Sequence, residues 1–151
     1  MSADLIHYKK NGYLIKKDLI SKKILDKINK IIKEVVSKEK RKKSKKKYHS
    51  EKQSYDNYHF VYNSNSSKNK EILRLNNPQN NHKVFHDLSR NTKIISIVKK
   101  LLGGSVRFHL GKLNFKLPNK RIGSEIGWHQ DWAFYPHTND DLITVGIYLD
   151  D

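Results

Sequence analysis

The order of apolar periodicities predicts an α+β chain, with helices first and strands afterwards. Two stretches repeat apolar residues at spacings of three and four, Ile24 to Val36 and Ile94 to Leu102, which puts those residues on one helix face. From Val106 the period becomes two, as Val106, Phe108 and Leu110 alternate with Arg107 and His109. A last apolar run, Leu142–Leu149, is expected to be a strand, so strands are still being laid down where the sequence stops at Asp151. At 151 residues the chain is long enough for one domain or part of one.

Asp4 to Lys10 reads as a short helix, and Gly12-Tyr-Leu-Ile15 after it as a brief strand of β-favouring residues. Ser21 stands where a helix cap belongs, ahead of the amphipathic stretch ending at Val36. From Lys38 to Lys70 the chain is rich in Lys, Ser, Asn and Tyr and poor in aliphatic residues, so a long loop or insert is expected. Glu71-Ile-Leu-Arg-Leu75 reads as a short strand ending at Asn76-Asn-Pro78, followed by a helix over His82 to Ser89. Asn91 is a good cap for the second long helix, and Gly103-Gly104 can supply the left-handed residue that ends it. Residues 105–151 then begin the β core, interrupted by a loop over Asn119 to Ser124.

The formal net charge is +16, from 31 Lys+Arg against 15 Asp+Glu. Such an excess draws phosphate-bearing partners through counterion release. It is uneven, however: Lys38 to Lys47, KEKRKKSKKK, alone supplies seven of the sixteen charges. The heavy use of Lys, Asn and Ile is what an A/T-rich coding sequence produces, and no helix-turn-helix, RNA-binding aromatic motif or zinc finger accompanies the run. The lysine run is therefore read as a solvated linker, and binding of nucleic acid or an anionic membrane surface through it is the minor reading. Cysteine is absent, which excludes disulfides and cysteine metal sites and fits a cytoplasmic setting. No apolar run is long enough to span a membrane.

His129 and Asp131 carry the most chemical information. Separated by Gln130 and flanked by Trp128 and Trp132, they would project to one side of an extended segment, where an imidazole and a carboxylate can converge on one cation. The pair is two thirds of the facial triad of two histidines and a carboxylate that holds non-haem Fe(II) with open positions. Trp128 and Trp132 are expected to pack in the core.

The stretch from Leu110 to Asp151 resembles the phytanoyl-CoA dioxygenase family in its L-N-F-K at 113–116, W-H-Q-D at 128–131, Tyr135-Pro136 and Asp141-Leu-Ile-Thr-Val-Gly. The helix, G-Y-L-I segment and long helix of Gly12 to Val36, and the basic Arg74 before a helix, match the family's N-terminal part as well. The resemblance implies N-terminal helices followed by the first strands of a double-stranded β-helix, a jelly-roll variety. It also implies an oxygenase that uses Fe(II), 2-oxoglutarate as cosubstrate and O2 to hydroxylate a small-molecule or acyl substrate. On matching positions, His129 and Asp131 would be metal ligands, with Arg74, Lys112, Asn114 and Thr144 contacting the cosubstrate.

In the family a distant downstream histidine completes the metal site, and an arginine beyond it pairs the far carboxylate of 2-oxoglutarate. The twenty residues after Asp131 hold one histidine, His137, in what looks like a solvated Tyr-Pro loop, and no arginine. His109 lies on the alternating segment, where nothing nominates it as a ligand. The expectation is an N-terminal part of one oxygenase domain, inactive alone and completed by a missing C-terminal segment, with a non-catalytic metal- or ligand-binding remnant as the alternative.

Overall fold

The computed structural model describes residues 2–41, 59–62, 71–116 and 127–149. In chain order these form α1 (Ala3–Asn11), α2 (Lys22–Arg41), β1 (His59–Tyr62), β2 (Ile72–Asn76), α3 (Lys83–Ser89), α4 (Thr92–Leu102) and β3 (Lys112–Asn114), with single 3-10 turns at Pro78–Asn80 and Asp131–Ala133. Helix and strand are mixed as expected. Among the described residues the sheet has three antiparallel strands in the order β1-β2-β3 and remains open.

Local chemistry sets the helix ends. The Ser2 side chain accepts from the Leu5 amide at the start of α1, and Gly12, at φ 78°, turns its own N–H back to the Tyr8 carbonyl at the end. The Gly12-Tyr-Leu-Ile15 segment, expected as a brief strand, pairs with no strand among the described residues. The Ser21 carbonyl receives the amides of Ile24 and Leu25 at 2.9 and 3.1 Å, opening α2 where the sequence placed it. In α4, Asn91 accepts from the amides of Lys93 and Ile94 at 3.0 and 3.2 Å, and Gly103 closes the helix at φ 80°.

Helix α2 outruns its expected end at Val36 by one and a half turns. Glu39 explains the extension: it is buried, and its carboxylate accepts the Tyr62 hydroxyl from β1. Lys38, Lys40 and Arg41 thus belong to the last turn, where cations offset the negative end of the helix dipole. The rest of the lysine run, residues 42–47, lies outside the described residues. The same segment was expected to be loop as far as Lys70, yet His59–Tyr62 forms β1; Phe60, Val61 and Tyr62 are strand formers in a run too short to stand out.

The apolar face of α2 joins two clusters. Ile28 and Ile31 pack with Val84 and Phe85 of α3, with Leu149 against them. Further along, Val35 and Val36 cover Phe60, Ile72 and Leu75, together with Leu113 and Phe115. Asn29 donates its side-chain amide to the Leu149 carbonyl at 3.1 Å, so the last described segment returns to the middle of α2.

Two expected strands are not formed. Val106 to Leu110 is irregular and only Lys112–Asn114 pairs, against β2, while residues 141–149 have no strand pairing. A strand exists only where a neighbour takes its backbone hydrogen bonds, and none of the described residues lies alongside these segments to do so. Trp128, expected in the core, is fully exposed, and Trp132 is 44% exposed with its indole N–H on the Asn139 carbonyl at 3.0 Å. No covering layer among the described residues reaches them.

Candidate metal centre

His129 and Asp131 come together as their spacing predicts, although the backbone between them is not a strand. The chain enters the 3-10 turn of Asp131–Ala133 through Gln130 in an extended conformation, which brings His129 Nε2 within 3.4 Å of Asp131 Oδ1. Both side chains are about one-third exposed, at 36% and 33%. The Phe134 ring lies edge-on to the imidazole at 5.3 Å between centroids.

Each member of the pair is held on its far side. His129 Nδ1 lies 2.8 Å from the Gly127 carbonyl oxygen. A carbonyl only accepts, so Nδ1 carries the proton and the lone pair of neutral imidazole falls on Nε2. Asp131 Oδ2 accepts the Thr144 hydroxyl from the 141–149 segment. Nε2 and Oδ1 then face each other with their far sides occupied, an arrangement completed by a proton or by a metal cation between them. The outer partners are of the kind that orient metal ligands.

Thr144, expected to contact cosubstrate, therefore commits its hydroxyl to Asp131. The other three expected cosubstrate residues fall on the β2–β3 ladder. Arg74 and Asn114 are direct cross-strand partners, and Lys112 opposes Asn76 two pairs further along. Arg74 Nε is buried and has no hydrogen-bond partner among the described residues. Lys112 reaches toward the metal-pair turn: its Nζ sits 4.6 Å from the centroid of Tyr135, whose amide is bonded to the Asp131 carbonyl at 3.0 Å.

No group of three or more His, Asp or Glu side chains suited to a metal occurs among the described residues. The nitrogen-and-carboxylate donor pair suits Fe(II) as two ligands of three. Sequence reasoning missed one local grouping, in which His109 lies edge-on to both Tyr135 and His137 at 5.6 and 5.0 Å between centroids. Their separation in the chain concealed it; the one cue was two histidines in a stretch already rich in site residues.

A mixed fold presenting a His-x-Asp pair beside a basic strand ladder defines a candidate metal-dependent enzyme class. Comparison with known proteins makes it specific. The family model described as Phytanoyl-CoA dioxygenase (PhyH) matches residues 8–151, and the chain belongs to that family. It is also similar to a protein of Stutzerimonas stutzeri described as a probable alpha-ketoglutarate-dependent hypophosphite dioxygenase, with 44% identity over 87 residues. That match covers 58% of this chain and 29% of the relative, so the matched part spans less than a third of the relative's length. No solved structure matches the chain.

Proposed function

We propose that the chain supplies two of the three protein ligands of an Fe(II)- and 2-oxoglutarate-dependent dioxygenase acting on a small molecule. The observation that carries the reading is the approach of His129 Nε2 to Asp131 Oδ1 at 3.4 Å, with each side chain anchored from behind by the Gly127 carbonyl and the Thr144 hydroxyl. Family membership and the description of the Stutzerimonas stutzeri relative support 2-oxoglutarate and O2 as the co-reactants. When bound, iron with 2-oxoglutarate supplies the oxidising power for inserting oxygen into the substrate, with succinate and CO2 as the other products.

The residues of this chain have separable tasks. The Gly127 carbonyl fixes the imidazole tautomer, so that His129 offers Nε2. The Thr144 hydroxyl occupies Oδ2 of Asp131 and leaves Oδ1 to the cation, acting as a positioning residue. Arg74, with its buried unpartnered Nε, Asn114 across the ladder and Lys112 supply donors for the cosubstrate carboxylates; a charged donor held away from water binds a carboxylate more strongly than one in bulk solvent. No third His, Asp or Glu joins the pair in a metal-holding group among the described residues. Hypophosphite, for which the relative is named, belongs in the first substrate panel.

The test pairs two readouts on the chain. Under anaerobic conditions it should retain about one equivalent of Fe(II), and His129→Ala should abolish that retention. With O2 and 2-oxoglutarate added it should form no succinate above the buffer rate, since only two protein ligands are in place. Failure to retain iron sinks the metal reading. Succinate formation that His129→Ala abolishes would instead put the third ligand within these 151 residues.

A further inference from the structure

Asn29 is a polar interruption in an apolar stretch. It stands between Ile28 and Ile31 in α2, half-buried, and asparagine is a weak helix former because its amide competes for backbone groups nearby. Here the amide is not spent locally: it donates across the molecule to the Leu149 carbonyl at 3.1 Å, 120 residues on. The Leu149 side chain packs against the cluster of Ile28, Ile31, Val84 and Phe85, so segment and helix meet through an apolar and a polar contact together. Residues 143–149 have no strand pairing and make two hydrogen bonds to other described residues. One comes from Asn29, and by the other Thr144 holds Oδ2 of Asp131.

We infer that Asn29 is a positioning residue for the Asp131 carboxylate, acting through Thr144. That Asp131 then holds a metal rests on the dioxygenase reading; the link from Asn29 to Asp131 does not. A segment without a ladder has no neighbour to fix its register, so the points at which it is tied decide where its side chains fall. Leu149 lies five residues beyond Thr144, at most about 18 Å along the chain. A slip of one residue at the Leu149 tie would move Thr144 by about 3.3 Å, more than a hydrogen bond tolerates. The hydroxyl would then miss Oδ2, and Asp131 would lose the partner that reserves Oδ1 for the cation. The Leu149 side chain sets this register less sharply, because an apolar contact is non-directional whereas the Asn29 amide selects one carbonyl.

Alanine is the best helix former, so Asn29→Ala removes the donor without weakening α2 itself. In the metal-free chain, nuclear Overhauser spectra should show the Thr144 methyl close to the Asp131 β-protons in wild type and no longer close in Asn29→Ala. Co(II) binding, read by equilibrium dialysis, should weaken by about threefold to tenfold in Asn29→Ala, no more than in Thr144→Val. The double variant should bind as Thr144→Val alone does. Such non-additivity separates positioning through Thr144 from a general loosening of the fold, which would add the same loss in either background. If Asn29→Ala loses the wild-type far-ultraviolet circular dichroism, Asn29→Ser takes its place, its hydroxyl being too short to reach the Leu149 carbonyl. The inference is overturned if the Thr144–Asp131 contact is absent in wild type or persists in the variant, if wild type binds Co(II) and the variant matches it, or if the two losses add. A wild type that shows the contact and loses it in Asn29→Ala, yet binds no Co(II), would overturn the metal reading and leave the positioning of Asp131 intact.

Discussion

Thr144 gives its hydroxyl hydrogen to Oδ2 of Asp131, thirteen residues upstream, while Oδ1 of the same carboxylate stays turned to His129. One threonine thus fixes which oxygen of the aspartate is available. Replacing it with valine keeps the shape and removes the donor. Thr144→Val should weaken Co(II) or Fe(II) binding by about tenfold, the lower end of what loss of a ligand's outer partner produces. Thr144→Ser should restore most of it, and equilibrium dialysis reads both.

Arg74 and Asn114 face each other across β2 and β3, with Arg74 Nε buried and unpartnered among the described residues. If that nitrogen waits for a carboxylate, Arg74→Met should lower 2-oxoglutarate affinity by about tenfold or more and leave metal affinity unchanged. Calorimetry in the presence of Co(II) separates the two effects. An equal loss of both would mean that Arg74 supports the fold rather than the cosubstrate.

Ile28 is fully buried at the centre of the α2–α3 cluster. Truncation to alanine leaves a cavity that its neighbours only partly fill, so Ile28→Ala should destabilise the chain by roughly 2–5 kcal/mol. Denaturant unfolding followed at the helix signal measures it. Because Asn29, one residue on, holds the Leu149 carbonyl, the same variant should also loosen the segment that carries Thr144.

The Asp87 carboxyl is held below its usual range by the Lys83 ammonium, which bonds both its oxygens at 2.8 Å. A depressed carboxylate contributes stability above its unfolded pKa and loses it as pH falls through the lower folded value. The pair is exposed, so the effect is small. Stability measured from neutral pH down through the acid range should show a shallow loss that Asp87→Asn removes, while nothing changes above neutrality.

The helices and the His129–Asp131 pair were legible because their signals are local. Asn91 and Gly103 mark α4 by backbone requirements, and His129 with Asp131 converge through a two-residue spacing that a turn satisfies as well as a strand. Strands were less legible. Phe60 gains its burial from non-local partners, Leu75 across the sheet and Val35 and Val36 of α2, and Val106, Phe108 and Ile147 have strand chemistry without a partner among the described residues to pair with. The extension of α2 depended on the bond between Glu39 and Tyr62, and the meeting of His109 with His137 on the return of a turn; neither leaves a periodic trace.

The central claim is that His129 and Asp131 hold the metal through which 2-oxoglutarate binds. Adding Fe(II) and then 2-oxoglutarate to the oxygen-free chain, and recording the visible absorption spectrum, tests it most directly. A charge-transfer band that needs both additions, and that is lost in His129→Ala and in Asp131→Ala, is the predicted result. A band that survives both substitutions, or none in the wild-type chain, would contradict it.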